Sequence, residues 1–177
     1  MQIKNPPLIF QVVGYKNSGK TTLMERLISY LSSKELQVGT LKHHGHGGEP
    51  ASVKETDSSK HLQAGSSISA VQGERELHIT VKDTTSFELD ELLQFYTVLP
   101  LDILLIEGYK KADYPKIVIL KDEKDMALLE LSNIIAVGCW NEVLAENSDY
   151  YTFPLQKTEE NLPALIACMV GRQLNEN

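Results

Sequence analysis

Cysteine is scarce in this 177-residue chain: only Cys139 and Cys168 occur, far apart and without a CxxC spacing. That excludes a disulfide scaffold or a cysteine-built structural zinc site, and predicts two small reduced thiols in a cytoplasmic protein. Long hydrophobic runs are missing too; no apolar stretch approaches the roughly 20 residues of a membrane-spanning helix. The opening MQIKNPPLIF has neither the apolar core nor the small-residue cleavage site of a secretory leader, so a cytoplasmic location without a membrane partner is expected. Positive charge is in the minority, with 17 Lys and Arg against 24 Asp and Glu and a net charge of −7. Nucleic acids and anionic membranes are held by broad fields of Lys and Arg, which this balance does not supply, so no nucleic-acid partner is expected. A single phosphate site, which needs only a few local cations, stays open. Internal repeats, low-complexity tracts and domain linkers are absent as well.

What is present suits one α/β domain spanning residues 1–177, with 42% hydrophobic and 23% charged residues and enough length for a core without a disulfide or structural metal. Four short apolar runs stand out: Leu8–Val13, broken only by Gln11, then residues 103–106, 117–120 and 134–137. Unbroken hydrophobicity over a strand length implies burial on both faces, as in a parallel sheet covered by helices. Helical periodicity lies between them. Residues 21–33 align Leu23, Leu27, Ile28 and Leu31; residues 87–96 follow a Thr85/Glu88 capping-box pattern and align Leu89, Leu92, Leu93 and Tyr96. Near the end, Leu162, Leu165, Ile166, Met169 and Val170 form a third stripe, with Pro163 expected in its first turn. Two segments break the rhythm. Residues 43–56 (HHGHGGEPASVKET) read as a functional loop, and about 67–82 as an antiparallel hairpin around Gln72-Gly73-Glu74, with Leu77, Ile79 and Val81 expected inward. The expected fold is therefore α/β and three-layered, with a mostly parallel central sheet and an added antiparallel hairpin.

Residues 14–21 read GYKNSGKT and match G-x-x-x-x-G-K-[ST] without a gap. A chance match in a chain of this length has odds of about one in a hundred. The motif starts where an apolar run stops and continues into an amphipathic helix, the setting a P-loop NTPase fold requires. Its glycines let the backbone approach phosphate, while its N–H groups and the helix N-terminus offer directed donors and partial positive charge. Gly14, Tyr15, Lys16, Asn17, Ser18, Gly19, Lys20, Thr21 and Thr22 form the expected nucleotide-binding set. Lys20 is assigned to the β/γ-phosphates and the Thr21 hydroxyl to Mg²⁺. Lys16 lies one position too late for the second lysine by which some dimeric P-loop ATPases reach a partner's nucleotide, and it is given no such role. An acidic partner is expected at the carboxyl end of a second buried strand. Glu107, after four apolar residues and before Gly108, is the candidate catalytic and metal residue, holding Mg²⁺ directly or through water, or orienting a water. Asp102 stands at the wrong end of that run.

Four features together resemble the molybdopterin-guanine dinucleotide biosynthesis adaptor protein B family of P-loop GTPases. They are residues 18–23 (SGKTTL), Lys42-His43-His44-Gly45-His46, Thr56-Asp57-Ser58 followed by Ala64-Gly65, and residues 106–110 (IEGYK) with Pro115-Lys116-Ile117 beyond. They run in order from residue 8 to about 120. The resemblance implies GTP and Mg²⁺ as cofactors and GTPase activity that is weak at most. The partner it implies is the molybdopterin guanylyltransferase that joins GMP to molybdopterin, with molybdopterin itself a further candidate. It also implies a homodimer to whose interface the hairpin contributes. Asp57 matches the family's acidic position after the histidine loop and becomes a second catalytic or Mg²⁺ candidate, although the run before it departs from the usual pattern. GTP rather than ATP rests on this resemblance, since no Asn-Lys-x-Asp run exists. In the segment after the fourth apolar run, Asn141 and Glu142 either pair with guanine's edge or form a plain turn.

The remaining polar clusters leave alternatives open. His43, His44 and His46 suit a metal, as in a metallochaperone GTPase, contacts to phosphate or pterin together with Lys42, or a plain solvated loop. Lys110, Lys111 and Lys116 form either a positive rim for a pterin phosphate or for a partner, or a solvated face. A small-molecule P-loop kinase is a third reading. Such kinases carry an arginine-rich lid, whereas the arginines here, Arg26, Arg75 and Arg172, are scattered.

Overall fold

The computed structural model describes residues 6–43, 56–83, 87–145 and 148–173. Strand β1 (Leu8–Val13) leads into helix α1 (Lys20–Ser33) and strand β2 (Val38–Lys42). Helix α2 (Asp57–Gln63), strands β3 (Ile68–Gln72) and β4 (Leu77–Val81), and helix α3 (Leu89–Thr97) follow. Strands β5 (Ile103–Glu107), β6 (Lys116–Leu120), β7 (Ile134–Cys139) and β8 (Tyr151–Pro154) then precede helix α4 (Thr158–Gln173). A 3-10 segment at Glu123–Glu130 joins β6 to β7. The chain divides into two units, Met1–His43 with Leu93–Asn177, and His44–Leu92.

The larger unit is built on a parallel sheet in the order β2-β5-β1-β6-β7-β8. Its four interior strands are the four apolar runs of the sequence, and β5, β6 and β7 are buried along their whole length. The edge strands β2 and β8 escape an apolar-run search because one flank of each is solvated, and VGTLK and YTFP mix polar and apolar residues accordingly. On one face, Leu23, Leu27 and Leu31 of α1 and Leu162, Leu165 and Met169 of α4 pack against Phe10, Val12, Ile103, Leu105, Ile117 and Ile119. Each such leucine removed from water contributes roughly 1.5–3 kcal/mol. On the other, Leu128 packs with Val13, Val118, Leu120 and Val137. Leu93 of α3 is buried, and the Tyr96 hydroxyl donates to the Thr40 carbonyl at 2.8 Å. Cys139 is buried and Cys168 half-buried, with no disulfide between them.

Three expectations need correcting. Helix α4 begins at Thr158, so Pro163 sits in its interior rather than its first turn. The apolar stripe that marks the helix in the sequence begins only at Leu162. The turn before it carries Glu159 and Glu160, which suit the positive end of the helix dipole. Helix α3 begins at Leu89, where the Glu91 carboxylate accepts the Glu88 N–H at 2.9 Å; Thr85 lies outside the described residues. The hairpin forms as β3 and β4, pairing Ile68 with Val81, Ala70 with Ile79 and Gln72 with Leu77. Its apolar face is not turned inward, because Leu77 is 60% and Ile79 55% exposed, and α2 in the same unit buries no side chain.

Near the end of β7, Gly138 is fixed by packing: a Cβ there would stand 2.9 Å from the Phe153 ring and 3.0 Å from a Leu155 methyl. Gly138→Ala is expected to destabilise the fold by roughly 1–3 kcal/mol through overpacking. Calorimetry should show a melting temperature lower by roughly 2–10 °C; an unchanged value would mean that this contact does not constrain the sheet.

Candidate functional site

The central strand β1 delivers residues 14–19 to the carboxyl edge of the sheet, and α1 starts immediately after them. Gly19 is the N-cap of α1 in the left-handed region (φ 100°), where a residue with a Cβ is strained. Its lack of a side chain also leaves the helix without a capping acceptor, and no acidic residue occupies the first turn. The other helices differ. Thr56 caps α2 and Asp57 opens it, α3 starts with Asp90 and Glu91, and α4 carries Glu159 and Glu160. The first-turn N–H donors and positive dipole end of α1 therefore remain available to an external anion. Lys20 curls back over the loop and donates to the Tyr15 carbonyl at 2.7 Å. Burial lowers its pKa; the Glu107 charge opposes that shift, and the nearby Lys110 and Lys42 charges add to it.

Strand register builds the charged centre. The parallel pairings place Val12 beside Glu107 and Lys42 beside Glu107, so the carboxylate ends β5 next to the P-loop strand on one side and a lysine on the other. The Thr21 hydroxyl lies 3.3 and 3.4 Å from the two Glu107 carboxylate oxygens. The Lys42 ammonium lies 3.2 Å from Glu107 Oε1 and 3.4 Å from Thr21 Oγ1, closing a triangle. A hydroxyl and a carboxylate are the hard oxygen donors that Mg²⁺ takes, and adjacent octahedral ligands at about 2.1 Å stand about 3 Å apart. The donor set fits that ion.

The turn after β5 is held by a residue that the sequence marked only as an interruption. Gln11 is fully buried, and its amide donates to the carbonyls of Gly108 at 3.1 Å and Tyr109 at 2.9 Å. With this turn anchored, the Lys110 ammonium sits 3.7 Å from the centre of the Tyr15 ring, a cation–π contact across the mouth of the P-loop. Burial lowers the Lys110 pKa, and Asp125 works against that. His43 donates its backbone N–H to the Glu107 carbonyl at 2.9 Å and places its ring 4.5 Å from that of Tyr109. Lys16, Asn17 and Thr22 are exposed on the loop and first helical turn, and Ser18 is buried.

The other expected residues differ in their surroundings. His44 and His46 lie outside the described residues. Asp57 belongs to the other unit, where its exposed carboxylate pairs with Lys60 at 2.8 Å. Lys116 is no part of a positive rim: it is fully buried, donates to the Ser132 carbonyl at 2.6 Å, and has its pKa lowered by desolvation. At the end of β7, the Asn141 side-chain oxygen accepts the Val143 N–H at 3.2 Å, as in a local turn. The P-loop contact from that segment comes from Trp140, which sequence reasoning passed over. Its indole N–H donates to the Ser18 carbonyl at 2.8 Å, and its ring lies 3.4 Å from where a Gly19 Cβ would be. The available signal was a lone tryptophan directly after a buried strand. No helix among the described residues is long and apolar enough to cross a membrane.

This arrangement has relatives. The family model described as molybdopterin guanine dinucleotide synthesis protein B matches residues 9–140. The chain is 44% identical over 138 residues to the probable molybdopterin-guanine dinucleotide biosynthesis adapter protein of Bacillus subtilis, covering 77% of this chain and 79% of that one. It is 31% identical over 130 residues to the adapter protein of Haemophilus influenzae, covering 73% and 72% respectively. The crystal structure of Bacillus subtilis MobB superposes with a TM-score of 0.79 at 38% identity, over 90% of this chain and 96% of that one. With the P-loop and the Glu107 turn inside the matched region, the chain belongs to the molybdopterin guanine dinucleotide synthesis protein B family.

Proposed function

We propose that this chain binds Mg²⁺·GTP on residues 14–22 and serves as an adapter in molybdopterin guanine dinucleotide biosynthesis, with at most weak GTPase activity. The observation that carries the nucleotide reading is the start of α1: a left-handed glycine, no side-chain cap and no first-turn acid, in a chain that caps or acidifies its other helices there. Polyphosphate oxygens take the vacant backbone donors, and Lys20 exchanges its bond to the Tyr15 carbonyl for the β/γ-phosphates. Thr21 and Glu107 hold Mg²⁺, which when bound neutralises phosphate charge. Lys110, poised over Tyr15, supplies a further positive group at the loop mouth. Weak GTPase activity at most is what the resemblance to the family implies. Guanine preference, and a guanylyltransferase as the partner that uses molybdopterin, follow from family membership.

The hairpin supports a homodimer. Ile68, Ala70, Leu77, Ile79 and Val81 fall on one face of the β3–β4 pair, and Ile68, Leu77 and Ile79 are each more than half exposed. A second copy presenting the same face would cover it symmetrically.

Lys20→Ala is expected to weaken Mg²⁺·GTP binding by about 100-fold or more, since it removes a charge-assisted contact from a partly buried site. Titration calorimetry with GTP, and with ATP and GMP as competitors, provides the check; ATP displacing GTP at equal or lower concentration would overturn the guanine assignment. Ile79→Glu is expected to shift the chain from dimer to monomer in sedimentation equilibrium while leaving GTP affinity within about twofold. A dimer that persists unchanged would remove the hairpin from the interface.

A further inference from the structure

Among the described residues, the ionic partner of Glu107 is Lys42 rather than the P-loop lysine. Glu107 is nearly withdrawn from water, with a side chain only 9% exposed, and Lys42 reaches it at 3.2 Å from the neighbouring edge strand. The same ammonium is 3.4 Å from the Thr21 hydroxyl, which itself is 3.3 Å from Glu107. Lys20, the expected phosphate lysine, donates instead to the Tyr15 carbonyl. One positive charge thus stands against both oxygens that fit Mg²⁺.

A buried carboxylate left without a counter-charge is strongly unfavourable, so something cationic has to answer Glu107 throughout the functional cycle. Lysine suits a temporary partner. Its charge is a compact ammonium on a flexible four-carbon stem, without the planar fork that fixes arginine to a carboxylate. Here the stem leaves the last residue of an edge strand and its side chain is 58% exposed, so the head can swing into solvent without disturbing the core. The position itself is rigid, because parallel pairing sets Lys42 directly beside Glu107. A metal ion and an ammonium on the same pair of oxygens repel each other at these separations, so each weakens the other's hold and Mg²⁺ entry favours departure of the ammonium.

We propose that the Lys42 ammonium is a built-in counter-cation at the Thr21–Glu107 metal position, which Mg²⁺ must displace when it enters with nucleotide. This inference rests on the reading of Thr21 and Glu107 as Mg²⁺ holders. Lys42 is accordingly a positioning residue: it holds the Glu107 carboxylate aimed at Thr21, and it raises the Mg²⁺ concentration at which metal is taken. Once displaced, the ammonium is released toward the mouth of the site, where polyphosphate is the available anion. Metal entry and lysine departure are thereby coupled.

The test is the Mg²⁺ concentration giving half-maximal response at saturating GTP, followed through the fluorescence of the chain's single tryptophan, which lies against the P-loop at Ser18. Lys42→Met removes the charge and keeps the length of the stem; Lys42→Arg keeps the charge. Lys42→Met is expected to lower the Mg²⁺ midpoint at least about fivefold, and Lys42→Arg to leave it at or above that of the unmodified chain, with melting curves confirming that both variants fold. An unchanged or raised midpoint in Lys42→Met, with GTP still bound, overturns the counter-cation role and leaves the nucleotide reading standing. Weaker GTP affinity in Lys42→Met without a lower midpoint identifies Lys42 as a phosphate contact alone and also overturns it. Failure of the unmodified chain to bind GTP at any Mg²⁺ concentration removes the nucleotide reading, and the inference with it.

Discussion

A carboxylate almost sealed from water at the end of an otherwise apolar strand is a demanding feature, and the site is arranged around meeting its needs. Glu107 is held by three strands in register: its own, the P-loop strand through Val12, and the edge strand through Lys42. The backbone hydrogen bonds of a parallel sheet fix which residues stand side by side, so these neighbours are set by the fold before any side chain chooses a rotamer. Thr21 then comes within reach because α1 begins where the glycine loop ends. The chemistry of the centre depends on register more than on any single contact energy.

Around that fixed row the adaptable parts are turns. The loop of residues 14–19 relies on a left-handed glycine to aim bare N–H groups outward, and the turn at Gly108 and Tyr109 carries Lys110 over Tyr15. Both turns are supported from beneath, one by the Trp140 indole against the Ser18 carbonyl and the other by the Gln11 amide against two carbonyls. Loops that carry function on a rigid scaffold are a general device. Here the supports are specific hydrogen bonds, one from the buried Gln11 and one from the exposed Trp140, rather than general packing.

Much of this was legible in the residues. The four apolar runs became the interior strands because burial on both faces writes an unbroken pattern, and the glycine-lysine motif stood where a strand meets a helix. Glu107 was visible as the one acid closing a wholly apolar strand. The edge strands β2 and β8 were not visible, since a half-solvated strand has no such pattern. Lys116 misled for a related reason: a lysine in a run of charges reads as surface, and only the bulge between Lys116 and Ile117 with the Ser132 carbonyl beyond reveals it as buried. Trp140 and Gln11 act on residues 122 and about 100 positions away, and contacts at such separations leave no local signature.

Gln11 has a consequence for how the two turns behave together. It belongs to the strand that feeds the phosphate loop, yet its side chain grips the turn on the neighbouring strand. An apolar replacement would fill the same space and leave two carbonyls unanswered, cutting the tie while sparing the core. The lysine-bearing turn and the root of the phosphate loop are therefore joined mechanically, so that a push on either is felt by the other as strain in one shared strand.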